Sequence, residues 1–202
     1  LMKLQRSTLL ECGMFAGRSE DSDGIKLAKS LGVPTSTDSI QAIIQNPDCC
    51  EIVFDATSAT VHQYHAPILK ELHKFAIDLT PAQVGKMCVP VINLEECLNE
   101  DNVNLVTCGG QATIPIAHVI SQIHPEAKYI EIVATIASKS AGPGTRNNID
   151  EFTQATSDAL GKFTGVKHTK AIIVLNAAEP PVIMRNTIYV LVDQPNMPKI
   201  RQ

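Results

Sequence analysis

The segment Asn104-Leu-Val-Thr-Cys-Gly-Gly-Gln-Ala-Thr-Ile-Pro115 joins a predicted strand to a predicted helix. The strand ends at Thr107 and the helix begins within about three residues, so Cys108 falls at a helix N-terminus. Unpaired N–H groups and the helix dipole at such a position favour a thiolate. The same N–H groups can stabilise an oxyanion on a carbonyl under attack. We therefore predict Cys108 as a nucleophile, with Gly109 and Gly110 leaving room for a substrate beside the sulfur.

Other interpretations of the cysteines stay open at this point. A free cysteine is most often a small buried hydrophobe, and this is the alternative for Cys108. Cys88 is the rival nucleophile, although no Gly-rich helix start follows it. The remaining four cysteines, Cys12, Cys49, Cys50 and Cys97, are predicted to be structural. Pro115 is expected in the first helical turn, where no internal N–H donor is needed.

Strand and helix patterns alternate along the chain, which predicts an α/β fold with a largely parallel sheet. The predicted strands cover residues 12–17, 51–57, 74–79, 102–107, 129–137, 171–175 and 187–192. The predicted helices cover residues 1–10, 23–31, 39–45, 65–73, 110–123 and 149–160. Asn147 and Asn148 are candidate caps for the last helix. Residues 194–202 are predicted to be an unstructured tail.

Composition narrows the class of protein. The 202 residues are 44% hydrophobic and carry a formal charge of −4, with no basic block, so a nucleic-acid partner is not expected. The apolar runs are too short to span a bilayer, so no membrane association is expected. Six cysteines without a CxxC pair argue against a disulfide framework and against a metal site. We expect a cytoplasmic, reducing location.

A glycine-containing loop, Ser138-Lys-Ser-Ala-Gly-Pro-Gly-Thr-Arg146, separates a predicted strand from a predicted helix. Gly142 and Gly144 allow the backbone to approach a ligand, and Lys139 and Arg146 supply positive charge. The pattern suits a phosphate or pyrophosphate. The alternative is a plain turn with two solvated cations.

Three shorter features lie at predicted strand ends. Asp55-Ala-Thr-Ser-Ala59 and Asp78-Leu-Thr-Pro-Ala82 follow two strands at the edge where α/β sheets bind ligands. His62 is expected in the loop after the first of them, where a histidine is more often a bystander than a base. Arg18 and Ser19 follow another strand, at a position where an acidic residue would bind a ribose and a cation would tolerate a 2′-phosphate.

Six co-linear motifs together resemble the acylating acetaldehyde dehydrogenase family of aromatic meta-cleavage pathways. They are Asp55-Ala-Thr-Ser-Ala59 with His62, Ile77-Asp-Leu-Thr-Pro-Ala82, Val106-Thr-Cys-Gly-Gly-Gln-Ala-Thr-Ile-Pro115, Ser138-Lys-Ser-Ala-Gly-Pro-Gly-Thr-Arg146, Asn148-Ile-Asp-Glu-Phe152 and Ala178-Glu-Pro-Pro181. The resemblance reaches almost to Val192. It implies a partial doubly wound, Rossmann-like NAD-binding domain over residues 1–107. A glyceraldehyde-phosphate-dehydrogenase-like catalytic and dimerisation domain would cover residues 108–193, followed by the tail.

The resemblance also implies an activity, in which acetaldehyde, NAD and coenzyme A yield acetyl-CoA through a thioester on Cys108. It assigns cofactor binding to the loop residues Lys139, Ser140, Ala141, Gly142, Pro143, Gly144, Thr145, Arg146 and Asn147. A homodimer and a hydroxy-oxo-acid aldolase partner are implied as well. Arg18-Ser19 departs from the family pattern, in which many members carry a hydrophobic residue followed by Asp, and Asn186 stands where many carry Asp.

No GxGxxG occurs and the chain begins at Leu1, so we expect it to be a piece of a longer protein. The proton acceptor for the reaction stays open among His62, His118 and His168. Two alternative functions also stay open. One is a semialdehyde dehydrogenase that releases its acyl group to phosphate or water. The other is a catalytically incomplete fragment that only dimerises or binds a partner.

Overall fold

The computed structural model describes residues 1–142, 145–146 and 149–202. The chain divides into two compact units, one formed by Leu1–Val53 with Pro67–Phe75 and the other by Phe54–Ala66 with Ala76–Gln202. The domain boundaries implied by the family resemblance stay a prediction. In the described part of the chain, none of the helices is both long enough and apolar enough to cross a membrane.

The first unit contains a small parallel strand pair. Its elements are β1 (Phe15–Ala16), α1 (Asp23–Ser30), β2 (Thr35–Ser36) and α2 (Ile40–Gln45). Strands β1 and β2 pair in parallel, and α1 connects them. The Ser22 hydroxyl accepts a hydrogen bond from the N–H of Ile25, which caps the helix. Ile25 and Ala28 are fully buried and form the core here.

The middle of the chain forms a four-stranded sheet. Its elements are β3 (Ile52–Asp55), α3 (Ala59–Glu71), β4 (Phe75–Asp78), β5 (Lys86–Met87), α4 (Pro90–Cys97) and β6 (Asn102–Asn104). The strand order is β3-β4-β6-β5, and β6 runs parallel to both of its neighbours. Asp78 pairs with Asn104, so the carboxyl ends of β4 and β6 lie side by side.

The last part of the chain forms a three-stranded sheet with two helices packed on one face. Its elements are α5 (Cys108–Ile123), β7 (Tyr129–Ala137), α6 (Ile149–Thr164), β8 (His168–Asn176), β9 (Arg185–Leu191) and α7 (Met197–Ile200). Central β7 pairs in parallel with β8 and antiparallel with β9. Ile130 and Ile132 of β7, with Ile114 of α5 and Leu160 of α6, are fully buried between sheet and helices. The predicted α/β class with a largely parallel sheet is confirmed.

Several predicted elements differ from the structure. Residues 1–10 were predicted to be helical but contain only a 3₁₀ turn, Leu4–Arg6. The tail contains α7, where the Asn196 side chain accepts from the N–H of Lys199. Helix α3 begins at Ala59, six residues before the predicted start, so His62 is helical and does not lie in a loop. Helix α4 and strands β2 and β5 were not predicted.

Candidate active site

Cys108 is the first residue of α5 and is exposed. Thr107 precedes it as the N-cap, and its Oγ1 accepts from the N–H of Gly110 at 3.0 Å. The same hydroxyl lies 2.7 Å from the Thr156 hydroxyl of α6, which ties the start of α5 to its neighbouring helix. The predicted position of Cys108 at a helix start is therefore present, and the sulfur lies on the surface. Its role as nucleophile stays a prediction.

Gly109 and Gly110 serve a different purpose from the predicted one. Both are buried, so they do not open a path for substrate. A Cβ atom on Gly109 would lie 3.1 Å from the Ala134 Cβ of β7 and 3.4 Å from Phe152 Cζ of α6. A Cβ atom on Gly110 would lie 3.0 Å from the Val106 side chain. The two glycines allow the first turn of α5 to pack closely on β7 and α6, and this packing places Cys108.

Pro115 lies at the eighth position of α5 and not in its first turn, as was predicted. It therefore removes a backbone N–H from the helix interior. Nearby, the Thr113 hydroxyl donates to the carbonyl oxygen of Gly109 at 2.7 Å. The first turn of the helix is thus stabilised partly by a side chain.

The rival nucleophile Cys88 is 2% exposed. Burial, followed by a hydrogen bond with the Cys97 thiol, raises the pKa of Cys88 to about 12. A thiol in this state is protonated at neutral pH and closed to substrate. Among the two candidates, the structure favours Cys108.

The described residues show no hydrogen bond between Cys108 and any of the three candidate histidines. His62 is fully buried and bonds to Asp55. His118 follows Cys108 by ten residues, about 15 Å along the helix axis, and its Nδ1 lies 2.6 Å from the Phe163 carbonyl oxygen. His168 pairs with Tyr129, five residues along β7 from the Ala134 that contacts Gly109. That separation is roughly 17 Å at the rise of a β-strand.

Asn186 lies on the side of the sheet that α5 covers. It pairs with Ala134 across β7 and β9, and cross-strand partners project to the same face. Ala134 in turn is the side chain that a Cβ on Gly109 would meet. In the sequence, Asn186 stood out only as a departure from the family pattern. The strand register places it near the N-terminus of α5. An amide cannot act as a general base.

The loop after β7 is braced by Arg146. Its guanidinium donates to the carbonyl of Ser138 at 2.5 Å, to the Ser138 hydroxyl at 2.8 Å and to the carbonyl of Ala141 at 3.0 Å. The Ser140 hydroxyl donates to the carbonyl of Ala137. The Arg146 side chain thus folds the described part of the loop on itself and is not extended toward a ligand.

A cavity of about 200 Å³ opens at the carboxyl ends of β7 and β8. Its polar lining comes from Ser138, Lys139, Asn176 and Glu179. Lys139 and Glu179 are both exposed and form an ion pair at 2.6 Å. The predicted Lys139 therefore faces this cavity. Pro143, Gly144 and Asn147, together with the predicted cap Asn148, lie outside the described residues.

A largely buried polar cluster lies at the carboxyl ends of β3 and β4 and includes Asn102, the first residue of β6. The Asp55 carboxylate accepts from Nδ1 of His62 at 2.9 Å, from Nδ1 of His65 at 2.8 Å and from the N–H and hydroxyl of Thr57. On the other side of the ring, His62 Nε2 lies 2.9 Å from the Asn102 amide and 3.5 Å from the Asp78 carboxylate. The sequence pointed to Asp55, Asp78 and His62 but missed His65 and Asn102.

The cluster favours charge on its members. Burial opposes an ionised carboxylate most strongly, but hydrogen bonds from His62, His65 and Thr57 outweigh it and hold the pKa of Asp55 well below 3.8. Burial likewise opposes a charged His62. The hydrogen bond to Asp55 and the nearby Asp78 charge outweigh it, and they raise the pKa of His62 above 6.5. The arrangement is a buried carboxylate hydrogen-bonded to an imidazole whose protonated form it favours.

Among the described residues, no group of three or more His, Cys, Asp or Glu side chains is arranged to hold a metal ion. Arg18 is exposed after β1, and Ser19 Oγ accepts from the N–H of Asp21. The predicted role of this pair at a nucleotide ribose stays a prediction.

Comparison with solved structures defines the class of fold. The chain matches aspartate semialdehyde dehydrogenase II from Vibrio cholerae with a TM-score of 0.51 at 11% identity, over 88% of this chain and 71% of that one. It matches GenD2 of gentamicin A biosynthesis, solved in complex with NAD, with a TM-score of 0.57 at 14% identity, over 94% and 65%. The chain therefore shares its α/β fold with these two proteins.

Sequence comparison identifies the family. The model of the family "Prokaryotic acetaldehyde dehydrogenase, dimerisation" matches residues 108–202. Acetaldehyde dehydrogenase of Geobacillus stearothermophilus is 55% identical over 96% of this chain and 66% of its own length. Those of Pectobacterium atrosepticum and Spirochaeta aurantia are each 52% identical, over 99% and 100% of this chain and 68% of their own length. The chain belongs to the acetaldehyde dehydrogenase family, and it spans about two thirds of the length of these relatives.

Proposed function

We propose that the protein containing this chain is an acylating, NAD-dependent acetaldehyde dehydrogenase that forms acetyl-CoA through a thioester on Cys108. The observation that carries the proposal is the exposed position of Cys108 at the first residue of α5, in a chain of this family. The close packing of Gly109 against β7 and α6 fixes that position. The buried, protonated state of Cys88 supports the choice of sulfur.

The chemistry follows from the position of the sulfur. The Cys108 thiolate adds to the carbonyl carbon of acetaldehyde. Backbone N–H groups in the first turn of α5, other than the Gly110 N–H that Thr107 caps, would stabilise the developing oxyanion. The resulting thiohemiacetal loses its hydroxyl proton and a hydride to become a thioester. The coenzyme A thiolate then attacks the thioester carbonyl, acetyl-CoA leaves and the Cys108 thiolate returns. Cysteine suits both halves because it is a good nucleophile and a good leaving group.

NAD, when bound, supplies the acceptor for the hydride. The site that we propose for its phosphate groups is the cavity at the carboxyl ends of β7 and β8, where Ser138 and Asn176 supply hydrogen-bonding groups and where an anion would have to displace Glu179 from the Lys139 ammonium. Lys139 is the side chain that we propose to contact a phosphate group there. Arg146 would act indirectly, by holding the loop in shape.

Acetyl transfer in the reverse direction tests the proposal without NAD. Acetyl-CoA incubated with the 202-residue chain should transfer one acetyl group to Cys108 and release free coenzyme A, detected by intact-protein and peptide mass spectrometry. Cys108→Ala should abolish the transfer, whereas Cys88→Ala, the matched control, should retain it. Acetylation at Cys88 would contradict the assignment. Transfer to phosphate in place of coenzyme A in the forward reaction would favour the semialdehyde dehydrogenase alternative.

We also propose that the chain assembles as a homodimer through the face of the β8-β7-β9 sheet that α5 and α6 leave uncovered. Val174, Tyr189 and Leu191 project from this face and are 41%, 55% and 56% exposed. Glu131 and Lys170 lie on the same face, 4.0 Å apart, so the face is apolar but carries both charges. A second copy can complement both features, since a twofold contact pairs a surface with itself. The description of the matching family as a dimerisation domain supports a dimer through residues 108–202.

Sedimentation analysis tests the dimer. The wild-type chain should sediment as a dimer, and Tyr189→Lys should shift it to monomer because it replaces an exposed aromatic ring of this face with a charged side chain. Ile183→Lys, at an exposed residue outside the paired strands, serves as the matched control. A dimer that persists in Tyr189→Lys would place the contact elsewhere. A hydroxy-oxo-acid aldolase partner and a cytoplasmic location belong to the same proposal and rest on the family resemblance.

A further inference from the structure

The backbone between β6 and α5 adopts a conformation that its sequence does not favour. Val106, two residues before Cys108, has a φ angle of +59°. This left-handed region is unfavourable for a β-branched residue. Val106 is also 1% exposed and belongs to the hydrophobic core. Such a conformation persists only where the surroundings enforce it.

Asn104 supplies the enforcing contacts. Its Oδ1 accepts from the N–H of Val106 at 2.9 Å, which closes a side-chain turn over two residues. Its Nδ2 donates to the Asp78 carboxylate at 2.7 Å and to the carbonyl of Thr80 at 2.8 Å. Asn104 is fully buried, so these bonds do not exchange with water. Each hydrogen bond that the structure shows for this side chain is made either to the turn or to the end of β4.

The end of β4 is itself a firm anchor. Asp78 accepts from the N–H of Thr80 at 2.7 Å through its carboxylate, and its carbonyl accepts from the N–H of Leu105 at 2.9 Å. The turn at Val106 is therefore fixed on both sides to a buried strand end. Thr107 follows directly as the cap of α5, and Cys108 is the next residue.

We propose that Asn104 is a positioning residue for Cys108, because it holds Val106 in the left-handed turn that sets Cys108 as the first residue of α5. The inference deepens the proposed function, since it names the residue on which the placement of the nucleophile depends. Asn104 itself touches neither substrate nor cofactor in the proposed reaction. It acts through the Val106 N–H and through the strand end that carries Asp78.

The test measures the reactivity of Cys108 toward iodoacetamide, which needs no aldehyde, NAD or coenzyme A. Peptide mass spectrometry reports the alkylation rate at Cys108 alone. Asn104→Ala should lower this rate roughly twofold to fivefold, the size of an ordinary interaction with a helix terminus. Asn104→Ser should give an intermediate rate, because a serine hydroxyl can accept from the same N–H but more weakly. Acetyl transfer from acetyl-CoA should fall further, by about tenfold or more, because it also needs orientation.

A matched control separates positioning from general loss of stability. Asn93 is buried like Asn104, and its side chain also bridges backbone groups, accepting from the N–H of Val89 and donating to the carbonyl of Met87. Asn93→Ala should leave the alkylation rate of Cys108 unchanged in the folded protein. An equal fall in both variants would overturn the proposal, as would an unchanged rate in Asn104→Ala.

Rescue tests the route through Val106. Glycine enters the left-handed region without a steric penalty, so Val106→Gly in the Asn104→Ala background should recover part of the alkylation rate. Val106→Gly alone is the reference for the loss of this core side chain, and a double variant no faster than Asn104→Ala, while Val106→Gly alone keeps the wild-type rate, would show that Asn104 does not act through this turn. Normal alkylation of the wild type without acetyl transfer would sink the proposed function and leave the positioning role standing.

Discussion

The carboxyl ends of β4 and β6 and the carboxyl ends of β7 and β8 are built in opposite ways. At the first pair, Asp78 and Asn104 are fully buried and bonded to each other. At the second pair, Lys139 and Glu179 are exposed at the rim of a cavity. Both sets of residues follow parallel strands, the place where α/β sheets bind ligands. In this chain, the buried residues at the ends of β4 and β6 hold the backbone in shape, whereas the exposed residues after β7 and β8 are accessible to a ligand.

The difference has an energetic basis. A buried carboxylate must have its hydrogen bonds supplied by the protein, and removing one partner leaves the others unpaired. An exposed ion pair exchanges its contacts with water and contributes little to stability. Mutations in the buried cluster should therefore lower the free energy of unfolding strongly. Mutations of the exposed residues at the cavity rim should lower it little, so these residues can serve binding.

Asp55→Ala should have the largest effect on stability. It removes the acceptor of two buried imidazole N–H groups and of the hydroxyl of the exposed Thr57. Breaking a buried charge pair on one side costs about 3–5 kcal/mol in the free energy of unfolding. Lys139→Ala, the control from the exposed rim, should cost no more than about 1 kcal/mol. Urea unfolding measures the free energy of unfolding of both variants. An equal decrease in the two would contradict the difference proposed between the buried and the exposed region.

Much of this architecture was readable from the sequence. Strand β7 was predicted with its observed bounds, because apolar residues interrupted only by Glu131 and Thr135 extend to the polar Ser138-Lys139. The start of α5 was placed within two residues, because a strand pattern meets Thr107 and two glycines. Both signals are local, so they needed no knowledge of the rest of the chain.

Errors arose where a local signal had two meanings. Pro90 was not taken as a helix start, yet it occupies the first position of α4, where proline is well tolerated. His62 was assigned to a loop because the start of α3 was placed too late. Ser58 was the available sign, since its hydroxyl accepts from the N–H of Val61 in the manner of an N-cap.

Some features depend on tertiary contacts, which local sequence patterns do not reveal. The glycines after Cys108 were predicted to leave room for substrate. In the structure, the missing Cβ of Gly109 instead leaves room for the Ala134 and Phe152 side chains. Asn104 carried no signal of its own, because its partners Asp78 and Thr80 lie more than twenty residues earlier. Helix propensity over residues 1–10 was not realised, as short isolated helices need packing to persist.

The smallest expected effect is the pH dependence that His62 confers on the buried cluster. The pKa of His62 is raised above 6.5 in the folded chain, so its charge stabilises the fold fully below pH 6.5, and this contribution is lost as the pH rises through the raised pKa. The Asp55 contribution has the opposite sign, because its lowered pKa makes it complete above pH 3.8 and weaker as the pH falls. The free energy of unfolding of the wild type should therefore decline above pH 6.5 more steeply than that of His62→Gln, measured by urea unfolding across the pH range. Parallel curves would mean that His62 is neutral in the fold, and the cluster would then hold its strand ends by neutral hydrogen bonds without a charged imidazole.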